Sequence, residues 1–412
     1  MRHFNFDRTL HFHCIAILEP SQDLLFSGKC VIIIVMIYLD HAAATPVSEK
    51  VLEAMKPYFV ERFFNPSAAY LPAKQVAAEY EAAKGEIAHA IGAKANDLVM
   101  TAGATEANNL AFTAAGEGKI LYLATEHDSV RAAAERRGGQ EIAVQQNGRI
   151  ELDDLKAKLT DDVGLISVAL ANNELGTIQP LAEVATLLRE TRLDRLRRGV
   201  KTPLYLHSDA SQAANLLDIN VARLGVDLMT LNSAKVYGPK GVGALYAAHE
   251  VRLLPLTYGG GQERGLRAGT ENLPGVIGFA VAMTEAKAHI TSNRKKYAQW
   301  REILLQELQG HELINRKYAL DNFVSLCYDG IDGERLVYLL EDRGVYVATG
   351  AACAASKGVR SRTLVAIGLT ETEIAGSLRL TLGETNTEEQ ILEAARIINE
   401  VVAAERERVH GK

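Results

Sequence analysis

Between about residues 95 and 250 the sequence alternates short apolar runs with helical segments. This alternation is typical of a largely parallel sheet covered by helices, because each helix returns the chain to the same edge of the sheet. The predicted strands each run into polar residues and lie at 98–100, 120–124, 165–170, 204–206 and 227–231. In an open α/β sheet, ligands bind at the carboxyl ends of the strands. The sequence therefore predicts an α/β fold with a polar site along one sheet edge.

Length and composition fit an ordinary protein of two domains. The chain has 412 residues, of which 48% are hydrophobic and 23% charged, and its formal net charge is −6. Its length exceeds the usual size of one domain, and its negative charge argues against a general nucleic-acid-binding role. The four cysteines, at positions 14, 30, 327 and 353, show no metal-ligand or disulfide spacing. A reducing cytoplasm is the natural compartment for such a chain.

Residues 1–35 differ from the rest because their apolar and polar residues follow no period. The apolar run 30–39 is too short to span a bilayer, and no small-residue cleavage site follows it, so no membrane association is predicted. Met36 directly precedes a strand predicted at 37–39. We interpret residues 1–35 as an irregular extension or a start-site artefact. N-terminal sequencing of the native protein tests this, and a terminus near Met1 would contradict it.

Two neighbouring strands deliver an acid, an amide and a lysine to one edge of the predicted sheet. Asp209 and Gln212 follow the first strand, and Asn232 and Lys235 follow the second. A partly desolvated lysine amine forms a Schiff base with a carbonyl cofactor. An acid facing it suits the ring nitrogen of pyridoxal phosphate, which makes that ring an electron sink. Taken alone, a lysine at a strand end is more often a solvated surface residue.

Other strand ends carry further candidates for ligand binding. Ala104 and Thr105 open a helix after a Gly-containing turn, where backbone N–H groups and a hydroxyl suit a phosphate. His127 can stack on a planar ring or move a proton, or it can simply cap the next helix. Asn173 belongs to a pair of asparagines that either marks a polar site or serves the turn. The Gly-rich loop 258–272 is too costly in entropy to be without a role.

Several weak motifs follow one another in a specific order. They are YLDHAAATP, FNPS, TAGATEANNLA, TEH, NNELG, SDASQ, AKVYGPKG, GGGQERGLRAGTEN, GAACAAS and SLRLTLG. Over roughly residues 37–405 the chain resembles the cysteine desulfurases of the NifS/IscS kind, in the class V aminotransferase group of fold-type I pyridoxal-phosphate enzymes. The resemblance implies a large cofactor-binding α/β domain at 51–274, with a mostly parallel seven-stranded sheet. It also implies a small α+β domain formed by 36–50 and 275–412.

The resemblance implies which residues hold the cofactor ring. Lys235 carries pyridoxal 5′-phosphate as a Schiff base, and Asp209 pairs with the pyridine nitrogen. Gln212 bonds the ring oxygen, and His127 stacks on the ring and helps to move protons. In this group Asn173 also belongs to the cofactor site.

The cofactor phosphate is implied to lie between two subunits. Ala104 and Thr105 bind it from the helix terminus, and Asn232 donates to it from the strand before the lysine. Thr270 reaches the phosphate of the partner subunit, which implies a homodimer.

The implied substrate is L-cysteine, and Cys353 defines the chemistry. Asn173 and Arg379 hold the substrate carboxylate, a role that suits the planar guanidinium fork. Cys353 lies among small residues without a core period, as an accessible nucleophilic thiolate requires. It attacks the substrate sulfur, keeps it as a persulfide and passes it to an acceptor, while L-alanine leaves. Cys327, within the strand predicted at 322–328, fits the ordinary buried cysteine instead.

One position departs from the family pattern. The family usually has Ser-x-His-Lys before the cofactor lysine, where this chain has Asn232-Ser233-Ala234-Lys235. Asn232 still donates a hydrogen bond, but Ala234 cannot. The loss of one charge-assisted phosphate bond costs roughly 1.5–3 kcal/mol. We therefore expect weaker cofactor retention without loss of the chemistry.

Three alternatives share parts of this pattern. A selenocysteine lyase would use the same residues, and relative rates on the two amino acids separate the two enzymes. A transaminase would use Lys235 but has no need of Cys353. A non-catalytic partner protein with this fold is favoured slightly by the missing histidine. The expected acceptor is an iron–sulfur scaffold protein or a tRNA-thiolation enzyme.

Overall fold

The structure is a computed structural model that describes residues 36–314, 317–350 and 360–411. The strands are β1 (Ile37–Tyr38), β2 (Leu98–Thr101), β3 (Lys119–Leu123), β4 (Gln140–Ile142), β5 (Val163–Ser167), β6 (Tyr205–Asp209), β7 (Leu228–Asn232), β8 (Gly243–Ala247), β9 (Glu312–Leu313), β10 (Phe323–Cys327), β11 (Val345–Tyr346), β12 (Ala348–Thr349) and β13 (Ser377–Thr381). Within these ranges we find no helix with the length and apolar character needed to cross a bilayer.

The α-helices of the same ranges fall between these strands. They are α1 (Glu49–Met55), α2 (Pro57–Val60), α3 (Leu71–Ala90), α4 (Ala104–Phe112), α5 (Asp128–Glu135), α6 (Leu152–Lys158), α7 (Leu181–Arg198), α8 (Val221–Leu224), α9 (Leu273–Glu307), α10 (Gly333–Glu341), α11 (Arg362–Ala366), α12 (Glu371–Ala375) and α13 (Glu388–His410).

A seven-stranded sheet forms the centre of the molecule, in the order β2-β8-β7-β6-β5-β3-β4. The pairs among β3 to β7 are parallel, whereas β8 runs antiparallel to both of its neighbours. The predicted mostly parallel α/β sheet is thus confirmed. Because β2, β6 and β7 point the same way, their carboxyl ends meet at one edge.

Both faces of this sheet are buried, as a parallel sheet requires. In β3, Ile120 and Tyr122 join one apolar cluster, and Leu121 and Leu123 join the other. Residues of α4 and α5 complete the first cluster, and residues of α7 and α9 complete the second. The period-two alternation of a strand therefore supplies apolar side chains to two helix layers at once.

A smaller sheet, β12-β13-β10-β9, is antiparallel throughout. Beside it, β1 pairs in parallel with β11, so the residues that follow Met36 join the C-terminal part of the chain. The predicted domain boundaries follow this pairing but stay a prediction.

Proline and pairing partners set the bounds of several short elements. Residues 49–60 form two helices, α1 and α2, which meet at Pro57 because proline cannot donate the next helical hydrogen bond. The apolar stretch 345–349 likewise forms two strands, because β11 pairs with β1 and β12 pairs with β13. The strand predicted at 165–170 is assigned only as far as Ser167, although the backbone N–H groups of Val168 and Leu170 still donate to carbonyl oxygens of β6.

Candidate active site

A cavity of about 430 Å³ opens at the carboxyl ends of the central strands. Among the residues that line it are the predicted Ala104, Thr105, His127, Asn173, Asp209, Gln212, Asn232, Lys235 and Arg379. Thr270 lies outside this lining. Cys353 falls outside the described residues, as do Cys14 and Cys30 and the predicted extension 1–35.

The Lys235 amine is held by the small-residue loop that follows β1. Lys235 ends a 3₁₀ turn directly after β7, and its Nζ donates to the carbonyl oxygens of Ala42 at 2.7 Å and Ala43 at 2.5 Å. Gln212 Nε2 also donates to the Ala42 carbonyl, at 3.0 Å. The alanines of YLDHAAATP thus let the backbone approach the lysine closely.

Asp209 ends β6 and is nearly buried. Its carboxylate accepts from Asn108 Nδ2 and from the backbone N–H of Ser211, each at 2.9 Å. Asn108 lies on α4 and has no exposed surface. Its place in the TAGATEANNLA motif did not predict this role, because the contact joins residues that lie far apart in the chain.

His127 both caps a helix and faces the cavity. Its Nδ1 accepts from the Ser129 backbone N–H at 3.1 Å and lies 2.9 Å from the Ser129 hydroxyl. Asn108 Nδ2 donates to that hydroxyl at 2.9 Å. The structure therefore shows the capping role, the place of His127 on the cofactor ring stays a prediction, and a hydrogen-bonded chain links the imidazole to Asp209.

The helix α4 begins at the cavity with its first N–H groups exposed to a ligand. Its N-cap residue Gly103 has φ 147°, a conformation that favours glycine, and no side chain caps the helix. Thr105 lies in the first turn. Such a terminus suits an anion.

The strand end at Asn232 is arranged for the same ligand. Asn232 Oδ1 accepts from the Ala234 backbone N–H at 3.2 Å, so its amide group is held beside the cavity. Ser211 Oγ, also in the lining, is buried without a partner among the described residues. The Ala234 methyl group supplies no donor. Apart from that position, this donor set fits pyridoxal phosphate, because it combines an amine, an acid and anion-binding N–H groups.

Glu126, which the sequence patterns did not single out, is a further acid in the lining of the cavity. Its Oε1 accepts from the Ala169 backbone N–H at 2.7 Å, and within the described chain its buried Oε2 has no partner. Burial, reinforced by the Asp209 carboxylate, raises the pKa of Glu126 to about 8. Glu126 is therefore mostly protonated at pH 7. Its position in the TEH motif, directly before His127, could have indicated from sequence that Glu126 belongs to the site.

Arg379 and Asn173 meet on the opposite wall. Arg379 is central to β13, and its Nη1 donates to the Asn173 carbonyl oxygen at 2.8 Å. Its Nη2 donates to Asp40 Oδ1 at 2.6 Å. The residue after Asn173, Glu174, accepts from the Ser361 hydroxyl, and burial raises the pKa of Glu174 to about 6.

The Gly-rich loop is fixed by a buried ion pair. Glu263 accepts from Lys84 Nζ at 3.0 Å and from the Met100 backbone N–H at 2.9 Å. Glu263 and Arg264 both have positive φ, 47° and 58°, a strained conformation that the buried pair maintains. Thr270, later in this loop, is exposed.

Comparisons with known proteins agree with this geometry. Residues 37–393 match the family described as Aminotransferase class-V. The chain is 36% identical over 385 residues to a cysteine desulfurase IscS of Methanosarcina thermophila, covering 89% of this chain and 92% of that protein. It is 35% identical over 383 residues to a putative cysteine desulfurase IscS 1 of Bacillus subtilis, covering 89% and 98%.

Solved structures give the same result. A NifS-like protein superposes with a TM-score of 0.82 at 29% identity, covering 90% of this chain and all of that one. A structure described as SspA in complex with cysteine superposes with a TM-score of 0.72 at 31% identity, covering 84% and 98%.

Proposed function

This chain belongs to the class V aminotransferase family, and from that premise we infer that it is a pyridoxal-phosphate-dependent cysteine desulfurase. It converts L-cysteine to L-alanine and holds the released sulfur as a persulfide on Cys353. The observation that carries this proposal is the meeting of Lys235, Asp209 and Arg379 around one cavity. Desulfurase relatives that match along almost the whole chain support the choice of reaction.

The cavity residues account for how the cofactor is held. We assign Asp209 to the ring nitrogen, Gln212 to the ring oxygen and His127 to the ring face. The terminus of α4, at Ala104 and Thr105, and the Asn232 amide take the phosphate. When bound there, pyridoxal phosphate supplies an electron sink for the substrate α-carbon.

The remaining steps belong to side chains of this chain. Arg379 and Asn173 orient the substrate carboxylate, and the Lys235 amine or the His127 imidazole takes the α-proton. The Cys353 thiolate attacks the substrate sulfur, so that a sulfur–sulfur bond forms and the carbon–sulfur bond breaks. The electron pair of the broken bond stays with the carbon fragment, which takes up protons and leaves as alanine.

We propose that the enzyme is a homodimer. Phe59, Val60, Phe63, Tyr70 and Leu71 are each more than half exposed and lie close together in sequence. An apolar surface of this kind is typical of a protein interface. In a homodimer the exposed Thr270 can contact the cofactor phosphate of the partner subunit. Sedimentation equilibrium measures the oligomeric state directly.

The partners and compartment are part of the same proposal. The persulfide requires a thiol acceptor, for which an iron–sulfur scaffold protein or a tRNA-thiolation enzyme is the natural class. The chemistry of a free thiolate fits a reducing cytoplasm.

Release of L-alanine from L-cysteine tests this function, with pyridoxal phosphate and a thiol reductant present. We expect catalytic amounts of alanine from the wild-type chain and none from Cys353→Ser. Cys327→Ser is the matched control, because Cys327 is buried in β10 and should leave alanine release unchanged. Absence of alanine from the wild type with excess cofactor would refute the proposal and favour the non-catalytic alternative.

A further inference from the structure

Arg379 is paired with an acid, Asp40, that does not line the cavity. Asp40 Oδ1 accepts from Arg379 Nη2 at 2.6 Å, and the two side chains are 18% and 5% exposed. Asp40 is not among the residues that line the cavity, whereas Arg379 is. The carboxylate therefore approaches the guanidinium from the protein side and leaves the cavity side open.

Arg379 keeps donors for a ligand after these contacts are made. A guanidinium has five N–H donors, of which the Asp40 carboxylate and the Asn173 carbonyl each accept one. The Arg379 Nε–H is buried and has no partner in the part of the chain that the structure describes. A buried donor without a partner costs free energy. A bound carboxylate would remove that cost.

The backbone fixes Asp40 relative to Arg379. Asp40 forms a bridge with Thr381 on β13, two residues beyond Arg379. The Thr381 backbone N–H donates to the Leu39 carbonyl at 2.7 Å, and the Ala42 backbone N–H donates to the Thr381 hydroxyl at 2.9 Å. The ion pair is thus built on two paired backbone segments.

The same segment also reaches the catalytic lysine. Ala42 and Ala43, directly after Asp40 and His41, supply the carbonyl oxygens that hold Lys235 Nζ. Residues 40–43 therefore position two groups at once, the amine at the floor of the cavity and the guanidinium on its wall.

We propose that Asp40 is a positioning residue that fixes the Arg379 guanidinium for recognition of the substrate carboxylate. The inference rests on the proposed function for the identity of that substrate. A charge-assisted hydrogen bond is about twice as strong as a neutral one. Loss of the charge in Asp40→Asn lets the fork leave its binding orientation, so a carboxylate ligand must restore that orientation when it binds.

Two ligands that differ only in the carboxylate test this with the cofactor-loaded enzyme. L-Alanine carries the carboxylate, and ethylamine is the same molecule without it. Binding of either amine is followed by the absorption change of the bound cofactor. We expect Asp40→Asn to raise the Kd of L-alanine about tenfold, equivalent to 1.4 kcal/mol, and to leave the Kd of ethylamine unchanged.

Two further variants make the result specific. Asp227→Asn is the matched control, because Asp227 is a mostly buried acid paired with Arg192 at the amino end of β7, the opposite edge of the sheet. It should change neither Kd. In an Arg379→Lys background, Asp40→Asn should have no additional effect on the Kd of L-alanine. The first substitution already removes the interaction between the two residues, so the second has nothing further to remove.

An equal loss of affinity for both ligands would overturn the proposal, since it would indicate a general disturbance of the site. Unchanged or tighter binding of L-alanine by Asp40→Asn would also overturn the proposal. Asp40 would then either not position the guanidinium or compete with the ligand carboxylate for it. Failure of the proposed function has a different signature: the wild type would bind L-alanine but release none from L-cysteine.

Discussion

Glu126 places a neutral carboxyl group beside the Asp209 carboxylate, and replacing it by glutamine tests that assignment. Glu126→Gln keeps the shape of the side chain and the oxygen that accepts from the Ala169 backbone N–H. It removes only the ability to ionise. The variant should therefore fold, and the difference between it and the wild type should depend on pH.

The size of the expected change in unfolding free energy follows from the pKa of Glu126 in the unfolded and in the folded chain. Its pKa rises from 4.5 to about 8 when the chain folds, so the folded state binds the proton more tightly. The unfolding free energy of the wild type therefore falls as pH rises between those values, by about 1.4 kcal/mol per pH unit. Between pH 6 and pH 9 about two units of that window are crossed, which gives a loss of roughly 3 kcal/mol. Glu126→Gln lacks this loss.

Urea unfolding of the cofactor-free protein, followed by the fluorescence of Trp300, measures the effect. Titrating groups that do not interact with Glu126 contribute equally to both proteins and cancel in the difference. We expect the variant to gain roughly 3 kcal/mol relative to the wild type between pH 6 and pH 9. Glu117→Gln, at an exposed position, should show no such gain. A constant difference between wild type and Glu126→Gln across this range would refute the reasoning.

Two further predictions concern the cofactor and the Gly-rich loop. Ala234→His should restore a phosphate donor and lower the cofactor Kd by at least about tenfold, since such a bond contributes roughly 1.5–3 kcal/mol. Equilibrium dialysis measures this Kd. Equal cofactor retention by the wild type and the variant would contradict the prediction. Lys84→Met should lower the unfolding free energy by about 3–5 kcal/mol, because the nearly buried Glu263 carboxylate loses its ammonium partner. Thermal unfolding checks this, and Lys84→Met combined with Glu263→Gln should recover part of the loss.

The central sheet and most of the candidate site could be predicted from sequence because both depend on local patterns. Apolar runs that end in polar residues mark the carboxyl ends of parallel strands, and these ends meet by the topology of the fold. Asp209, Lys235 and Thr105 could therefore be placed at one edge before any contact was known. The strand pattern around Cys327 likewise predicted its burial, which the structure shows in β10.

The bounds of short elements could not be predicted, because pairing partners set them. Val345 to Thr349 has one apolar pattern, but its two halves pair with β1 and β13. A local window contains no information about which distant strand lies beside each half.

The sequence by itself determined the α/β class, the family and the edge of the sheet where the chemistry lies. The tertiary structure alone decided how the charges are arranged there. Asp40 contacts Arg379 across 339 positions, and Asn108 contacts Asp209 across 101. It also left Glu126 in an interior that keeps it neutral. Propensity and periodicity act over a few residues, whereas burial and the distance between charges exist only after the chain has packed.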